Sequence, residues 1–167
     1  TGEGNPRNSQ SSGGGLFKSI DGGKSFELLG LEKTKHIHKI VIDPRNSDIV
    51  YIAAFGVAWG DTKERGVYKS TNGGETWKKV LFANEQAGAV ELQMDPKNSR
   101  ILYASTWNLK RTPYSLNSGG PGSLLWKSTD SGKTWSKISD NKGFAKGVLG
   151  IIGVTVSPVN SERVFAI

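Results

Sequence analysis

The sequence lacks cysteine altogether, and this absence excludes disulfide bonds and thiolate chemistry. It has only two histidines, His36 and His38, whose spacing places both on one side of a strand. Because no third ligand is in view, we expect these imidazoles to pack within the fold, and we expect no metal site. No stretch reaches the roughly 18 apolar residues that a membrane helix needs. Glycines interrupt the longest candidate, residues 148–156, so membrane insertion is not expected.

The abundant residues favour strands and turns over helices. Glycine occurs 22 times and hydrophobic residues make up 35% of the chain, which suits short strands joined by many turns. The formal net charge of +7 fits a solvated basic surface, and it would attract acidic glycans or nucleic acid without specificity. We expect no nucleic-acid partner. We also expect no cofactor: residues 132–134 resemble the end of a phosphate-binding loop, but Lys127 stands where that loop needs a glycine.

One eight-residue pattern occurs three times. It reads Ser-Ile-Asp-Gly-Gly-Lys-Ser-Phe at 19–26, Ser-Thr-Asn-Gly-Gly-Glu-Thr-Trp at 70–77 and Ser-Thr-Asp-Ser-Gly-Lys-Thr-Trp at 128–135. We refer to these segments as boxes 1, 2 and 3, and we number their positions from the serine. An apolar residue, an aromatic residue and a lysine precede each box. Three copies of one pattern in a single chain predict a repeat architecture.

Each box predicts a tight turn between two strands. The Asp or Asn at position 3 is expected to accept hydrogen bonds from backbone N–H groups two residues on, and the glycine at position 5 to supply a positive φ. The aromatic residue at position 8 is expected to begin the next strand and to bury a large apolar face. We therefore interpret the boxes as structural. The residues with this role are Ser19, Asp21, Gly23, Phe26, Ser70, Asn72, Gly74, Trp77, Ser128, Asp130, Gly132 and Trp135.

A second kind of turn alternates with the boxes: Asp-Pro-Arg-Asn at 43–46, Asp-Pro-Lys-Asn at 95–98 and Ser-Pro-Val-Asn at 157–160. Proline cannot donate to a sheet ladder, so a strand should end at each of these Pro-Asn turns. The predicted strands include 24–29, 36–42, 48–54, 90–94, 100–106, 124–126, 151–156 and 162–167, with long loops at 55–65 and 107–122. This order is the four-stranded antiparallel meander of a β-propeller blade.

The box pattern resembles the Asp-box, or bacterial neuraminidase repeat, of sialidases, some endoglucanases and sortilin-type receptors. The stretches 1–4, 43–46, 64–70 and 119–123 are most similar to the sortilin-like repeat propellers of large exported bacterial proteins, often labelled glycosyl hydrolases. The resemblance implies an all-β propeller and a secreted or periplasmic location. The Arg-Ile-Pro motif of sialidases is absent, which speaks against that activity.

The strand count predicts an incomplete ring. We expect a half-blade at 1–30, complete blades at 37–81 and 89–139, and a second half-blade at 150–167. A propeller needs roughly four to eight blades. We therefore expect a single propeller segment of a longer exported protein, with the rest of the same propeller as a partner. A ring of two copies is the alternative.

Function is expected on the edge opposite the boxes, because loops on a rigid scaffold carry variety and binding. The ligand-binding candidates on that edge are Arg7, Trp59, Lys63, Arg65, Trp107, Arg111 and Tyr114. Aromatic rings beside basic groups suit sugar stacking or recognition of acidic groups. Trp59 and Trp107 could equally pack the loops or neighbouring blades.

Three functions remain open from the sequence, the third being a purely architectural segment of a larger secreted machine. The first is a recognition scaffold that presents loops to a glycan, a peptide or another protein. The alternative is a polysaccharide-acting glycoside hydrolase, which would need two carboxylates across the scissile bond. The loop carboxylates are Glu3, Glu32, Asp61, Glu64 and Glu85, and no pair among them is identified as catalytic.

Overall fold

In a computed structural model of the chain, which describes residues 2–4 and 9–167, antiparallel strands form four sheets. The first sheet pairs β1 (Phe17–Lys18) with β2 (Glu27–Leu28), and the second runs in the order β3 (Ile37–Asp43), β4 (Asn46–Ala54), β5 (Gly66–Ser70), β6 (Lys78–Leu81). The third contains β7 (Ala87–Met94), β8 (Leu102–Arg111), β9 (Leu116–Ser118), β10 (Leu124–Ser128) and β11 (Ser136–Lys137), and the fourth pairs β12 (Val154–Val156) with β13 (Val164–Ala166). The prediction of an all-β fold, with two complete blades and two half-blades, is confirmed.

Helix is nearly absent from the part of the chain that the structure describes. A 3₁₀ turn at Glu32–Thr34 is the one helical element there. None of the described helical structure is long and apolar enough to cross a bilayer.

The two complete blades share one strand register. Tyr51 of β4 lies opposite Lys69 of β5, and Tyr103 of β8 lies opposite Lys127 of β10. In each blade the lysine directly precedes a box serine, so the turns of both blades fall at the same height along the strands. The internal repeat of the sequence is therefore also a repeat in three dimensions.

The main core lies between the two complete blades. Tyr51, Ala53 and Val67 of the first blade pack with Leu92 and Leu102 of the second. All five side chains are buried, and the alanine allows the two sheets to approach closely. Because side chains alternate along a strand, the opposite face of the first blade packs against the half-blade before it, through a second cluster that includes Leu16 and Ile52.

The Pro-Asn turns are closed by their first side chain. Asp43 Oδ1 accepts from the Arg45 N–H at 3.0 Å, and Asp95 Oδ1 accepts from the Lys97 N–H at 2.8 Å. The basic residue at the third position reaches the next turn along the edge: Arg45 donates to Ser99, and Lys97 Nζ donates to the carbonyl of Val159 at 2.5 Å. These turns therefore also join successive blades.

The boxes are held by short-range hydrogen bonds of the kind expected, although at a different spacing. In box 1, Asp21 Oδ1 accepts from the N–H groups of Lys24 and Ser25, each at 3.0 Å, and Ser19 Oγ accepts from the Gly23 N–H at 2.7 Å. The carboxylate therefore reaches residues three and four on, so the predicted spacing of two was wrong. The serine makes the two-residue contact, to the Asp21 N–H at 3.3 Å. Box 3 repeats the serine contacts and the bond from the position-7 N–H to the position-3 side chain, and box 2 does so with an asparagine.

Glycine at box position 5 has the positive φ that was expected, at 89°, 101° and 78° for Gly23, Gly74 and Gly132. The aromatic residue at position 8 is partly buried in two boxes and exposed in the other. Trp77 and Trp135 are partly buried, but Phe26 is 65% exposed. Trp77 packs against the preceding half-blade and donates from Nε1 to the Leu29 carbonyl at 3.0 Å. Phe26 is exposed because box 1 has no preceding blade among the described residues.

The boxes predict a specific response to acid. The Thr134 hydroxyl, with help from the Thr134 N–H and the Ser128 hydroxyl, lowers the pKa of Asp130 from 3.8 to about 2. A carboxyl whose pKa is lower in the folded state stabilises the fold above its unfolded pKa, and this contribution is lost as the pH falls towards 2. Asp130→Asn should remove that dependence while keeping the turn, because Asn72 in box 2 accepts from the Thr76 N–H at 3.0 Å.

Urea unfolding at pH 7 and at pH 2.5 tests this expectation. The loss of stability between the two pH values should be smaller in Asp130→Asn than in the parent protein. Glu162→Gln, at an exposed acid outside the boxes, serves as the control. An unchanged acid response in Asp130→Asn would contradict the argument.

The predicted loop at 107–122 was wrong in part. Strand β8 continues to Arg111, and β9 pairs with its far end, with Leu109 opposite Ser118. The physical reason is that apolar and polar residues continue to alternate past Thr106, and both Trp107 and Leu109 are buried. The second blade therefore carries a five-stranded sheet whose β8–β9 hairpin extends towards the edge opposite the boxes.

Candidate functional site

Three segments meet on the edge opposite the boxes: the β4–β5 loop 55–65, the segment 82–86, and the end of the β8–β9 hairpin at 110–115. We refer to them together as the loop edge. The Thr62 N–H donates to the Glu85 carbonyl at 2.9 Å, and the Arg111 N–H donates to the Ala58 carbonyl at 2.9 Å. The β4–β5 loop is thus tied on one side to the next inter-blade segment and on the other to the second blade.

Arg65 organises the β4–β5 loop from inside. Its guanidinium donates to the carbonyls of Phe55 at 2.9 Å, Val57 at 2.5 Å and Gly60 at 3.1 Å. The same group lies 5.0 Å from the centroid of the Phe55 ring. Burial lowers the pKa of Arg65 to about 10, so it stays charged at neutral pH. Arg65 was a ligand-binding candidate, but it is fully buried and its donors serve the loop.

An aromatic cluster lies beneath the loop edge. The Phe55 ring stacks on His38 with centroids 5.1 Å apart, and it contacts Trp107 at 5.8 Å. Trp107 is buried, and its Nε1 donates to Ser118 Oγ at 3.2 Å. In this structure Trp107 packs between the blades and does not offer its ring to solvent.

The histidines belong to the same cluster. His36 Nδ1 lies 2.7 Å from the Gly56 carbonyl, and burial, with the neighbouring His36, lowers the pKa of His38 to about 4. Within the described ranges, no three side chains of His, Asp or Glu converge as metal ligands. The His38 ring stacks on Phe55 and the His36 ring contacts the Gly56 carbonyl, so both imidazoles pack in this cluster.

The remaining candidates lie at the surface of the loop edge. Trp59 is 41% exposed, at the tip of the loop that Arg65 holds. Arg111 is half-buried, and its Nη1 donates to the Ser115 carbonyl at 3.3 Å. Because the Arg111 N–H bonds to Ala58, Arg111 lies beside the residue that precedes Trp59. Lys63 and Tyr114 are exposed, and Arg7 lies outside the described residues.

Acidic groups accompany these candidates. Asp61 Oδ2 accepts from Gln86 Nε2 at 3.2 Å, so Asp61 and the Glu85–Gln86 segment adjoin. Glu64 accepts from the Tyr68 hydroxyl at 3.1 Å, and burial, with this carboxylate, raises the pKa of Tyr68. Glu3 instead accepts from the Ser11 N–H at 2.9 Å, and Glu32 lies in the 3₁₀ turn. The loop edge thus brings Asp61 and Glu85 together and leaves Glu3 apart.

The sequence interpretation missed two groups that shape this edge. Gln86 anchors Asp61, and the Ala58 carbonyl anchors the β8–β9 hairpin. Nothing in the local sequence singles out a backbone carbonyl. Gln86 could have been considered, since it is a polar residue in a connection between two predicted blades. Chemically, the loop edge offers an exposed indole, a guanidinium and two carboxylates on a braced backbone.

A family model described as Sortilin-Vps10 (sortilin, neurotensin receptor 3) matches residues 14–146. The match spans boxes 1, 2 and 3, both complete sheets and the loop edge. The recognition of a sortilin-like Asp-box propeller is thereby confirmed.

Curated relatives are similar over most of this chain. It is 29% identical over 145 residues to the xyloglucanase Xgh74A of Acetivibrio thermocellus, which covers 75% of this chain and 16% of that protein. It is 30% identical over 148 residues to a xyloglucanase of Hypocrea jecorina, with the same two coverages of 75% and 16%. The chain therefore spans about 16% of the length of these relatives.

Solved structures share the fold. An ancestral GH74 enzyme superposes with a TM-score of 0.68 at 17% identity, covering 94% of this chain and 19% of that one. The GH74 enzyme of Niastella koreensis gives 0.65 at 22% identity, covering 90% and 21%. The GH74 xyloglucanase of Xanthomonas campestris gives 0.63 at 19% identity, covering 92% and 23%. At these identities the likeness supports the propeller fold.

Proposed function

Given that this chain belongs to the Sortilin-Vps10 family (sortilin, neurotensin receptor 3), we propose that it is the substrate-binding part of a polysaccharide-acting glycoside hydrolase propeller. The glycan is xyloglucan or a β-glucan of similar backbone. This was the alternative interpretation of the sequence. The similarity to xyloglucanases over 75% of the chain supports the hydrolase interpretation over that of a recognition scaffold.

The observation that carries the proposal is the position of Trp59. Its indole is 41% exposed, yet the loop beneath it is held by three hydrogen bonds from a buried guanidinium. A loop that is held in place before binding loses little conformational entropy when a sugar stacks on the residue at its tip. The indole face therefore serves as a platform for one sugar of the chain.

The adjoining polar groups fit the same role. Asp61 and Arg111 flank the loop tip that carries Trp59. Asp61 accepts a hydrogen bond from Gln86, and the Arg111 N–H donates to the Ala58 carbonyl. A carboxylate accepts and a guanidinium donates, so the pair can satisfy sugar hydroxyls along both edges of the stacked ring. Asp61, in the same loop as Trp59, and Glu85 on the adjoining segment are the carboxylates that we propose for hydrolysis. Because such polysaccharides lie outside the cell, we expect the protein to be exported.

Binding of xyloglucan oligosaccharides to this chain tests the proposal by isothermal titration. Trp59→Ala should weaken binding about tenfold or more, which corresponds to ~1.4 kcal/mol. Ile20→Ala removes an apolar side chain that is exposed on the box edge, away from the loop edge, and should bind like the parent protein. The melting temperatures of both variants should match that of the parent.

Two results would count against the proposal. Absence of xyloglucan binding by the parent chain would remove the glycan assignment. Equal binding by parent and Trp59→Ala would remove Trp59 from the site.

A further inference from the structure

An open, basic cavity lies on the box edge, between the two complete blades. It has a volume of about 440 Å³ and is lined by parts of boxes 2 and 3 and by the outer strand β6. One wall comes from residues 69–80 of the first complete blade, and the other comes from residues 131–133 of the second. Ligand sites in proteins usually measure about 300–1,000 Å³, so this cavity is large enough to hold part of a polymer.

Three lysines bring positive charge into the cavity: Lys69, Lys78 and Lys133. Lys69 of β5 lies opposite Lys78 of β6, and Lys133 faces them from box 3. Lys79 also lines the cavity, but its ammonium donates to the Lys63 carbonyl. The cavity therefore draws its charge from both blades.

The positive charge is only partly compensated. Burial, followed by the neighbouring Lys133 ammonium, lowers the pKa of Lys69, so these two charges lie close enough to repel each other. Asp130 and Asp43 act in the opposite direction. Asp43 already pairs with Arg45, however, and the Asp130 carboxylate accepts from hydroxyls of its own box. In the described part of the chain, no carboxylate forms an ion pair with a lysine of this cavity.

The repeat shows which of the lysines has a structural role. Lys18 Nζ donates to the Gly73 carbonyl of box 2 at 3.1 Å, and Lys69 Nζ donates to the Ser131 carbonyl of box 3 at 2.9 Å. Both lysines directly precede a box, and both acceptors are at box position 4. The lysine before a box therefore joins successive blades, and the groove between boxes 1 and 2 is built like the groove between boxes 2 and 3.

The other two lysines do not recur with the blades. Lys78 directly follows box 2, whereas Glu27 directly follows box 1. Lys133 is at position 6 of box 3, whereas Glu75 is at position 6 of box 2. The equivalent groove one blade earlier thus has two carboxylates where this groove has two ammonium groups. Because the fold accepts either charge at these positions, forming a blade does not require Lys78 or Lys133 to be basic.

The remaining groups that line the cavity suit a sugar. Thr71 and Thr76 bring hydroxyls, and Trp77 brings part of its indole. Hydroxyls both donate and accept hydrogen bonds, an indole offers an apolar surface, and ammonium groups form strong hydrogen bonds to carboxylates. A sugar that carries a carboxylate can use all three kinds of group. An inorganic polyphosphate has the charge, but it has neither a ring nor sugar hydroxyls.

We propose that this cavity binds an acidic polysaccharide through the carboxylates of its uronic acids. Lys78 and Lys133 contact these carboxylates from the two blades, and Thr71 and Thr76 bond to sugar hydroxyls. The site lies on the edge opposite Trp59, so it is separate from the proposed xyloglucan platform and does not rest on it. It holds the protein on an acidic matrix while the loop edge stays free.

Isothermal titration of the chain with tetragalacturonate tests the proposal. The double variant Lys78→Glu/Lys133→Glu gives this groove the charges that Glu27 and Glu75 give to the groove before it, so it should melt like the parent protein. We expect this variant to bind at least about tenfold more weakly, because like charges placed across an interface oppose association. Binding by the parent should also weaken as the salt is raised to about 1 M, where the Debye length is about 3 Å.

The matched control is Lys24→Glu/Lys142→Glu, which makes the same change in net charge at exposed positions outside the cavity. At about 0.15 M salt, where the Debye length is about 8 Å, it should bind tetragalacturonate like the parent. Xyloglucan binding should be the same in the parent and in both double variants. A failure of the acidic site and a failure of the Trp59 platform therefore give different results.

The acidic site is refuted if the parent does not bind tetragalacturonate. It is also refuted if the two double variants are weakened equally, since net charge alone would then explain the binding. Equal or tighter binding of a linear polyphosphate of the same charge would overturn the assignment to a polysaccharide and leave a general anion site.

Discussion

Gly88→Ala should destabilise the protein by at least about 3 kcal/mol, since inserting atoms into a closed core costs 1–3 kcal/mol or more. A Cβ atom at Gly88 would lie 2.0 Å from the Phe55 carbonyl oxygen and 2.5 Å from the Phe55 Cα. Both obstacles are backbone, so no side-chain rotation can relieve them. The two complete blades would have to separate where β7 passes the end of β4.

Urea unfolding measures this loss, and Gly60→Ala provides the matched control. No atom lies within 4 Å of a Cβ at Gly60, and its φ is not in the left-handed region. That substitution should be neutral or stabilise the fold by about 0.4–1 kcal/mol, because alanine restricts the unfolded chain. If Gly88→Ala were as stable as Gly60→Ala, the close approach of the blades at Phe55 would be refuted.

The boxes could be predicted from the sequence because their physics is local. Every hydrogen bond that closes box 1 joins residues no more than four apart, so the residue types and their spacing carry the information. The same holds for the Pro-Asn turns, where Asp43 and Asp95 bond two residues on. Because both kinds of turn close locally and recur in alternation along the chain, they were enough to predict the blades.

The loop edge could be predicted only in part, because burial there is decided between blades. Trp107 of the second blade is covered by Phe55 of the first, 52 residues earlier, and no local pattern encodes that contact. An overlooked signal was the alternation continuing through Trp107 and Leu109, which predicts a longer β8. Exposed Trp59 and buried Trp107 look alike in sequence, and the fold distinguishes them.

Arg65 is a charged residue whose burial also could not be predicted from the local sequence. Its place in a loop opposite the boxes made it a ligand-binding candidate, and arginine is almost never fully buried without partners. Here the partners are three carbonyls of its own loop. The sequence names the donor, but the carbonyls that accept become visible only when the loop is folded.

Arg65→Met should therefore cost about 3 kcal/mol or more, although methionine fills much of the same volume. Each buried carbonyl left without a donor costs about 1–3 kcal/mol. Three carbonyls lose their donor here: that of Phe55 in a buried contact, and those of Val57 and Gly60 in partly buried ones. The contact between the guanidinium and the Phe55 ring is lost as well. Urea unfolding measures the cost, and Lys63→Met, at an exposed position of the same loop, should change stability little.

Arg65→Lys distinguishes the role of the charge from that of the hydrogen-bond geometry. Lysine keeps the charge, but its three donors share one nitrogen and cannot reproduce the planar fork of arginine. We expect Arg65→Lys to recover less than half of the stability lost in Arg65→Met. In both variants, the part of the tryptophan fluorescence that Trp59→Ala removes should be more readily quenched by acrylamide. Full recovery by lysine would mean that charge alone holds the loop. In that case Trp59 would owe its position to the Phe55 cluster beneath it, and the braced backbone would no longer explain the binding platform.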